Sequence, residues 1–343
     1  MKVNYNEIFE YPMFISWEIT PLCNYRCIHC RMEGDSSDKV YTNDELTLEE
    51  VKKQLDEFCE LGIQQINYSG GEPFCRKDFI EIFEYTSNKG FKIGITTNGS
   101  FIDDAMASKL AKIKNIDLVQ ISLDGKDPET HDFIRGIPGA FRQALQAIEN
   151  LKKNGIRTGA VTTVMKYNKK QVQDILQLLL DLKVDCYGAR RFMPVGRGSQ
   201  YIDSLVVNVN DYYNHCKQWV DFVEKYREKI QLYIEEPLLG IFEEKLKKYW
   251  TFSGCVGGSI YGAIMANGEV RPCIFLPISL GSIREKSFSE VWKNPLRKLF
   301  DKTNLNEECE QCHLKEVCGG CRAMAYLVTG DIKAKDPLCF KDL

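Results

Sequence analysis

The sequence predicts an α/β fold built around a parallel sheet. Between residues 14 and 192, short apolar runs alternate with segments in which apolar residues recur at helical spacing. Six such runs are separated by helical segments, a pattern typical of βαβ units with parallel strands. Polar and glycine-rich stretches follow several of the runs, at the strand ends where parallel sheets carry their chemistry.

The predicted strands, in chain order, are FISWEIT, QQINYSG, FKIGITTNG, LVQISLDG, TGAVTTVM and CYGARRF. The predicted helices between them are TLEEVKKQLDEFCELG, KDFIEIFEYTSNKG, DDAMASKLAKIK, AFRQALQAIENLKKNG and KKQVQDILQLLLDL. Three of these helical segments end in a glycine suited to a left-handed C-cap, namely Gly62, Gly90 and Gly155. Residues 203–250 read as helical and connecting, and the chain becomes rich in Gly and Cys from Cys255 onward.

Composition excludes several classes of partner. The formal charge of −3 and a pI near 6.0 do not indicate a nucleic-acid-binding surface. Lys and Arg are spread along the chain and form no cluster that would bind an anionic membrane. The N-terminal stretch lacks the pattern of a secretory signal, and no apolar run reaches the length of a membrane span. We therefore expect a cytoplasmic protein with no nucleic-acid and no membrane partner.

Fourteen cysteines in a reducing compartment favour metal ligation over a disulfide framework. Four of them, Cys59, Cys75, Cys186 and Cys216, are scattered and are interpreted as small core residues. The others fall into an N-terminal group of three and a C-terminal group of seven.

The N-terminal group lies in the stretch CNYRCIHC, which contains Cys23, Cys27 and Cys30. Three thiolates at these spacings on one loop can bind a [4Fe–4S] cluster and leave one iron open to a small molecule. The alternatives are a zinc site with His29 as the fourth ligand, or a chance grouping. Neither alternative explains why SGGEP should follow the next strand.

With these motifs, the chain resembles the radical SAM enzymes. Their hallmark is C-x3-C-x2-C after the first strand of a partial (β/α)6 barrel. The resemblance implies that S-adenosylmethionine chelates the open iron through its amino and carboxylate groups. It also implies that His29 lies near the adenine.

The GGEP stretch comprises Gly70, Gly71, Glu72 and Pro73. Glycines permit close approach of backbone to a ligand, and Glu72 can balance the ligand's positive charge. By resemblance, this stretch holds the methionine ammonium group. On its own, GGEP would be read as a turn.

Further S-adenosylmethionine contacts are expected at later strand ends. The polar candidates are Thr97, Asn98, Ser122, Asp124 and Arg135. Asn98 and Asp124 can equally be turn-formers, because Asx residues favour such loops. Met193 or Val195, in MPVGRG, would supply an apolar face for the adenine or belong to the core.

The C-terminal cysteines resemble the SPASM extension of radical SAM enzymes, which carries two auxiliary [4Fe–4S] clusters. By resemblance, the first cluster uses Cys255, Cys273 and Cys321, and the second uses Cys309, Cys312, Cys318 and Cys339. The first set lacks one cysteine of the fuller pattern, so its open iron could take Tyr261, water or substrate. A zinc ribbon is the alternative, since close Cys pairs are also a zinc signature.

The resemblance implies a partial (β/α)6 TIM-like barrel followed by a small Cys-rich SPASM domain. We expect the barrel in residues 1–200, a helical bridge in 201–250 and the SPASM domain in 251–343. The implied chemistry is reductive cleavage of S-adenosylmethionine to a 5′-deoxyadenosyl radical, which abstracts a hydrogen from substrate. An external electron donor of the flavodoxin or ferredoxin type is implied as well.

The leading interpretation of function is a maturase that modifies a ribosomally made peptide by crosslink, thioether, oxidation or decarboxylation. The segment before Cys23 leaves no room for a recognition domain, so leader binding would require a separate peptide-binding partner. The alternative is decarboxylation or deacetylation of tetrapyrrole side chains in haem biosynthesis, since GCVGGSIYGAIMANGEVRPCIFLPI and CGGCRAMA resemble enzymes of the alternative haem pathway. A third is a non-catalytic iron–sulfur carrier, against which the retained GGEP argues. The sequence identifies no catalytic acid or base. Glu235 and Glu236 lie near the expected substrate side, but a solvated helix face or core packing is the favoured interpretation of both. His131 and His215 have no ligand-like spacing and are interpreted as surface or core residues.

Overall fold

A computed structural model describes residues 9–32, 44–233, 236–249, 254–300 and 305–343. The strands within these ranges are β1 (Phe14–Glu18), β2 (Gln65–Ser69), β3 (Lys92–Thr97), β4 (Ile116–Ser122), β5 (Thr158–Val164), β6 (Cys186–Arg191), β7 (Gln231–Tyr233), β8 (Tyr261–Ile264), β9 (Glu269–Arg271) and β10 (Gly281–Ser282). They form one sheet in the order β10-β9-β8-β1-β2-β3-β4-β5-β6-β7.

The six predicted strands are confirmed as β1 to β6, each paired in parallel with the next. The sheet extends beyond them on both sides. Strand β7 adds in parallel to β6, and β8, from the Cys-rich region, adds in parallel to β1. Strands β9 and β10 continue this side in antiparallel pairing. The C-terminal segment therefore shares the sheet of the N-terminal segment.

The helices are α1 (Leu48–Glu60), α2 (Phe79–Asn88), α3 (Asp104–Leu110), α4 (Pro128–Arg135), α5 (Ala140–Lys153), α6 (Val172–Asp181), α7 (Ile202–Leu205), α8 (Val209–Tyr226), α9 (Glu243–Leu246), α10 (Phe288–Trp292), α11 (Glu307–Glu310) and α12 (Arg322–Thr329). Gly62, Gly90 and Gly155 follow α1, α2 and α5 with φ of 74°, 87° and 71°, as a left-handed helix end requires. Within the described ranges, no helix combines the length and the apolar character needed to cross a bilayer.

Helices such as α1 and α8 pack on one face of the sheet, because strand side chains alternate between faces and the set on that face is apolar. Trp17 of β1 contacts Phe58 of α1, and Tyr187 of β6 contacts Trp219 of α8, with ring centroids 5.8 Å and 5.3 Å apart. We call the other side the inner face. Near the carboxyl ends of the strands, this face carries half-buried polar side chains: Ser16, Asn67, Ser69, Thr96, Gln120, Ser122, Thr163 and Arg190. The buried Glu18 and the apolar Phe14, Leu118 and Val161 lie on it too. This face leaves room for a ligand at the carboxyl ends of the strands.

Candidate active site

The three N-terminal cysteines lie on the loop after β1, at the carboxyl end of the sheet. This loop is held by two later segments of the chain. The Ile28 amide donates to the Ile134 carbonyl at 3.0 Å, and the Gly198 amide donates to the Cys30 carbonyl at 2.9 Å. The loop conformation is thus fixed by the end of α4 and by the turn after β6.

Each of the three thiols receives a hydrogen bond. The amides of Tyr25 and Met32 donate to the sulfurs of Cys23 and Cys30, both at 3.4 Å. Arg135 Nη1 donates to Cys27 Sγ at 3.7 Å. Donors directed at sulfur favour the thiolate and tune the metal site that it ligates.

Burial raises the pKa of the Cys23 thiol to about 12 and that of Cys27 to about 11, so both are protonated without a metal. Iron binding would therefore release protons. Among the residues described, no three His, Cys, Asp or Glu side chains are grouped to hold a single metal ion. Three thiols on one loop are a donor set that fits an iron–sulfur cluster.

The GGEP glycines pack against the chain itself. A Cβ on Gly71 would lie 2.0 Å from the Leu22 carbonyl oxygen, and one on Gly70 would lie 2.4 Å from the Thr20 oxygen. The Gly71 amide donates to Thr20 O at 2.8 Å, and the Glu72 amide donates to Leu22 O at 2.6 Å. The structure thus gives these glycines a role beyond the predicted approach to a ligand, because they let β2 dock on the segment that leads into the cysteine loop.

Glu72 is buried, and its carboxylate is bound by the protein. Thr97 Oγ1 and the Asn98 amide each donate to it at 2.7 Å, and the Phe74 amide donates at 3.4 Å. Burial raises the pKa of Glu72 to about 7, although these hydrogen bonds oppose the rise. Asn98 Nδ2 also donates to Asn24 Oδ1 at 2.9 Å, within the cysteine loop. Thr97 and Asn98 therefore join GGEP to that loop. Pro73 is buried and begins the 3-10 turn Pro73–Cys75.

Asp124 is fully buried beneath the cysteine loop and is surrounded by donors. Its Oδ2 lies 2.6 Å from Arg135 Nη2 and 3.5 Å from His29 Nε2, and the Thr163 amide donates to Oδ1 at 2.8 Å. Burial is the largest single effect and opposes ionisation, but Arg135, the two nearby histidines and the Thr163 amide together outweigh it, so the pKa of Asp124 is lowered. Burial lowers the pKa of His29 to about 4, so its ring is neutral at neutral pH. Asp124 thus anchors Arg135 against Cys27.

The remaining predicted contacts lie at neighbouring strand ends. Ser122 ends β4 on the inner face and is half-buried, Met193 is buried in the core, and Val195 is half-buried. The next residue, Gly196, has φ of 60°, and a Cβ there would lie 2.1 Å from the Arg31 carbonyl oxygen. The MPVGRG turn therefore packs directly on the cysteine loop.

One residue that sequence reasoning missed is Ser69, the last residue of β2. Its hydroxyl is buried, and no described atom forms a hydrogen bond with it; His29 Nδ1 is in the same state. The sequence feature that could have indicated Ser69 as a ligand contact is its position before Gly70, at the carboxyl end of a predicted parallel strand. Two unsatisfied polar atoms near the cysteine loop fit a polar ligand such as S-adenosylmethionine.

Four C-terminal cysteines line one cavity: Cys309, Cys312, Cys318 and Cys339. They are the four that the sequence assigned to the second auxiliary cluster. The Gly320 amide donates to Cys318 Sγ at 3.4 Å. Four thiols around one cavity are the donor set that a [4Fe–4S] cluster needs.

The three cysteines assigned to the first auxiliary cluster also come together. A Cβ on Gly257 would lie 3.7 Å from Cys255 Sγ and 3.5 Å from Cys273 Cβ. Burial raises the pKa of Cys321, and the nearby Cys255 thiol adds to the rise. Tyr261, suggested as a ligand of the open iron, lies on β8 with its ring 6.1 Å from that of Phe14.

A buried ion cluster joins these cysteines to the barrel. Arg191, at the end of β6, contacts Glu236 through Nε at 2.6 Å and both oxygens of Asp336 through Nη1 at 2.8 Å. Asp336 Oδ2 accepts the amide of Cys321 at 2.8 Å, and its carbonyl accepts the amide of Cys339 at 2.9 Å. Asp336 thus touches the backbone of a cysteine from each auxiliary set.

Other sequence interpretations have mixed outcomes. Cys186 and Cys216 are buried as predicted, but Cys59 is exposed because its position on α1 faces away from the sheet. His131 and His215 are buried core residues. Glu235 lies outside the described residues.

Two family models match the chain. The model described as the Radical SAM superfamily matches residues 17–179, and the SPASM model, an iron–sulfur cluster-binding domain, matches residues 255–313. The second range includes both Cys255 and Cys312. The cysteines near the C-terminus lie beyond that match.

Full-length relatives include proteins with two kinds of substrate. The chain is 34% identical to the AdoMet-dependent heme synthase of Methanosarcina barkeri, over 96% of each chain. It is 28% identical to the PqqA peptide cyclase of Bradyrhizobium diazoefficiens, over 97% of this chain and 87% of that protein. The crystal structure of Streptococcus suis SuiB bound to S-adenosylmethionine has a TM-score of 0.76 at 19% identity and covers 96% of this chain and 77% of that one. This likeness confirms the fold class, a partial TIM-like barrel followed by a small Cys-rich domain.

Proposed function

The chain belongs to the radical SAM superfamily and carries a SPASM domain, so it is an enzyme, and we propose that it oxidatively decarboxylates a tetrapyrrole side chain. The two domains imply S-adenosylmethionine and iron–sulfur clusters as cofactors. Membership rules out the interpretation as a non-catalytic electron carrier. The observation that carries the substrate proposal is the match to a heme synthase over 96% of both chains.

We assign one cluster to Cys23, Cys27 and Cys30 and two auxiliary clusters to the C-terminal sets. When bound, these groups and S-adenosylmethionine supply a carbon radical that removes a hydrogen atom from an unactivated C–H bond, and an acceptor for an electron. Arg135 and two backbone amides then stabilise the thiolates of the N-terminal set.

The protein's part is to hold the ligand at the strand ends and keep the reacting carbon out of water. Ser69 and His29 have buried polar atoms with no hydrogen-bond partner among the described residues, and a polar ligand at these strand ends would satisfy them. Glu72 fixes the turn at Thr97 and Asn98, so that the loops around the site stay in register. The inner face supplies hydroxyl and amide groups to a polar substrate.

The proposed net reaction converts a carboxyethyl side chain into a vinyl group. A carboxyethyl side chain loses one hydrogen atom, one electron and carbon dioxide, and a vinyl group remains. The carbon radical that bound S-adenosylmethionine supplies would take up the hydrogen atom, and a cluster held by the C-terminal cysteines would take up the electron.

The test is an anaerobic incubation of reconstituted protein with S-adenosylmethionine, dithionite and iron coproporphyrin III. Mass spectrometry should show the porphyrin losing one formic-acid equivalent per converted side chain, with formation of 5′-deoxyadenosine. Unchanged porphyrin in samples that still release 5′-deoxyadenosine would contradict the tetrapyrrole substrate and leave the radical chemistry intact.

A peptide maturase is the second candidate, because the PqqA peptide cyclase also aligns over 97% of this chain. In that case, a short peptide encoded beside the gene should stimulate formation of 5′-deoxyadenosine, and the mass of the peptide should change. Iron coproporphyrin III would have no effect in the same assay.

A further inference from the structure

We infer that Arg190 binds a carboxylate of the substrate, an inference that rests on the proposed tetrapyrrole function and deepens it. Arg190 lies on the inner face, one residue before the end of β6 and opposite Thr163 of β5. The last inner-face residues of strands β2 to β6 are Ser69, Thr96, Ser122, Thr163 and Arg190. Of these five, Arg190 is the one that carries a charge.

The backbone alternation of β6 separates Arg190 from its neighbour. Arg191 points to the helical side, where its guanidinium lies 5.0 Å from the Tyr212 ring of α8. Arg190 points the other way, and its guanidinium lies 5.8 Å from the ring of Phe275. Two consecutive arginines therefore serve different sites: Arg191 holds the domains together, and Arg190 faces the ligand space.

Arg190 connects the two halves of the candidate site. The turn that follows its strand packs on the cysteine loop, where the Gly198 amide donates to the Cys30 carbonyl at 2.9 Å. On the other side, Phe275 is two residues from Cys273, a proposed ligand of the first auxiliary cluster. In the proposed reaction the substrate loses a hydrogen atom near the N-terminal cysteine loop and an electron near the auxiliary cysteines. It must therefore lie between the two, where Arg190 is placed.

The chemistry of this position suits a flat, carboxylated ligand. A guanidinium presents a planar fork of donors that pairs with both oxygens of a carboxylate. The half-buried side chain of Arg190 is less screened than a surface arginine, and Phe275 supports its plane. The ring of Tyr233 also lies on the inner face, where it fills the space beside Gly188, 2.7 Å from the position of an added Cβ. Aromatic rings beside a cation suit a conjugated macrocycle with acidic side chains.

The test compares porphyrin binding by wild-type holoenzyme, Arg190→Gln and Arg142→Gln. Arg142 is an exposed arginine of α5 and serves as the control for charge. The probes are iron coproporphyrin III and its tetramethyl ester, titrated by absorbance in the Soret band. Release of 5′-deoxyadenosine without porphyrin reports whether the S-adenosylmethionine site is intact in each variant.

Arg190→Gln should weaken binding of the free acid by about 10- to 100-fold, the range for losing a hydrogen bond to a charged group. Binding of the ester should stay at the wild-type value in Arg190→Gln, and Arg142→Gln should change neither porphyrin binding nor release of 5′-deoxyadenosine. Equal weakening for acid and ester would overturn the carboxylate role in favour of packing against Phe275. Wild-type affinity for the acid in Arg190→Gln would also overturn it. If wild-type protein binds neither porphyrin, the substrate class is wrong and the carboxylate site fails with it.

Discussion

Replacing Gly71 with alanine should disable S-adenosylmethionine cleavage through a backbone collision. The added Cβ would lie 2.0 Å from the Leu22 carbonyl oxygen, 2.4 Å from its carbon and 2.7 Å from the Pro21 oxygen. Because ordinary contact begins at 3.4 Å, the two segments must separate by about 1.4 Å. The obstacle is backbone, so no side-chain rotation relieves the clash.

The displacement falls beside Cys23. It also stretches the 2.6 Å hydrogen bond from the Glu72 amide to Leu22 O, which joins GGEP to the cysteine loop. A misplacement of about 1 Å in a catalytic arrangement costs about 100-fold in rate. We therefore expect Gly71→Ala to lower the rate of 5′-deoxyadenosine formation by about two orders of magnitude.

The assay follows 5′-deoxyadenosine in reconstituted protein with dithionite, alongside iron content per chain. Gly90→Ala is the matched control, because Gly90 has φ of 87° and open space around its missing Cβ. It should lose about 1–2 kcal/mol through backbone strain and keep its activity. Wild-type activity in Gly71→Ala, or equal loss of activity in Gly90→Ala, would refute the steric reasoning.

Three further outcomes follow from the structure. Arg191→Leu should lower the free energy of unfolding by about 3–5 kcal/mol, because it leaves the buried carboxylates of Glu236 and Asp336 without their cation. With an unfolding entropy of about 2.1 cal/mol/K per residue over 343 residues, calorimetry should show Tm falling by about 4–7 °C. Burial lowers the pKa of His215 from 6.5 to about 4, so the unfolded chain takes up a proton at a higher pH than the folded protein does. The free energy of unfolding should therefore fall by about 3 kcal/mol on this account as the pH falls from 6.5 toward 4. His215→Leu should flatten that decline in urea unfolding of iron-free protein. Cys309→Ala should remove about four iron atoms per chain in anaerobic iron counting.

Each of these outcomes has a contrary result. An unchanged Tm in Arg191→Leu would show that Glu236 and Asp336 find other partners. A pH profile identical to wild type in His215→Leu would place the acid sensitivity in other groups. Iron loss no greater in Cys309→Ala than in Cys186→Ala, whose cysteine is a buried core residue, would contradict the second auxiliary assignment.

The fold and the cysteine loop were predictable because their signals are local. Alternating apolar residues define β1 to β6, and motif spacing places Cys23, Cys27 and Cys30 after the first strand. The pairing of β8 with β1 was not predictable, since Tyr261 and Phe14 are far apart in sequence and short strands carry little register information.

Polar contacts between residues far apart in sequence were also not predictable. Glu72 reads as a ligand contact in sequence, but Thr97 and Asn98 also bind its carboxylate. Glu236 reads as a solvated or packed residue, but it is buried against Arg191. Nothing in the local sequence indicates such partners, because a buried charge is satisfied by groups that the fold brings from elsewhere.

The most direct test of the central claim is the electron paramagnetic resonance spectrum of the reduced N-terminal cluster, recorded with and without S-adenosylmethionine. A variant with the seven C-terminal cysteines changed to alanine isolates this cluster. We expect about four iron atoms per chain and a spectrum that changes when S-adenosylmethionine is added, because one iron has no protein ligand. A fully loaded cluster whose spectrum is identical in both samples would contradict an open iron.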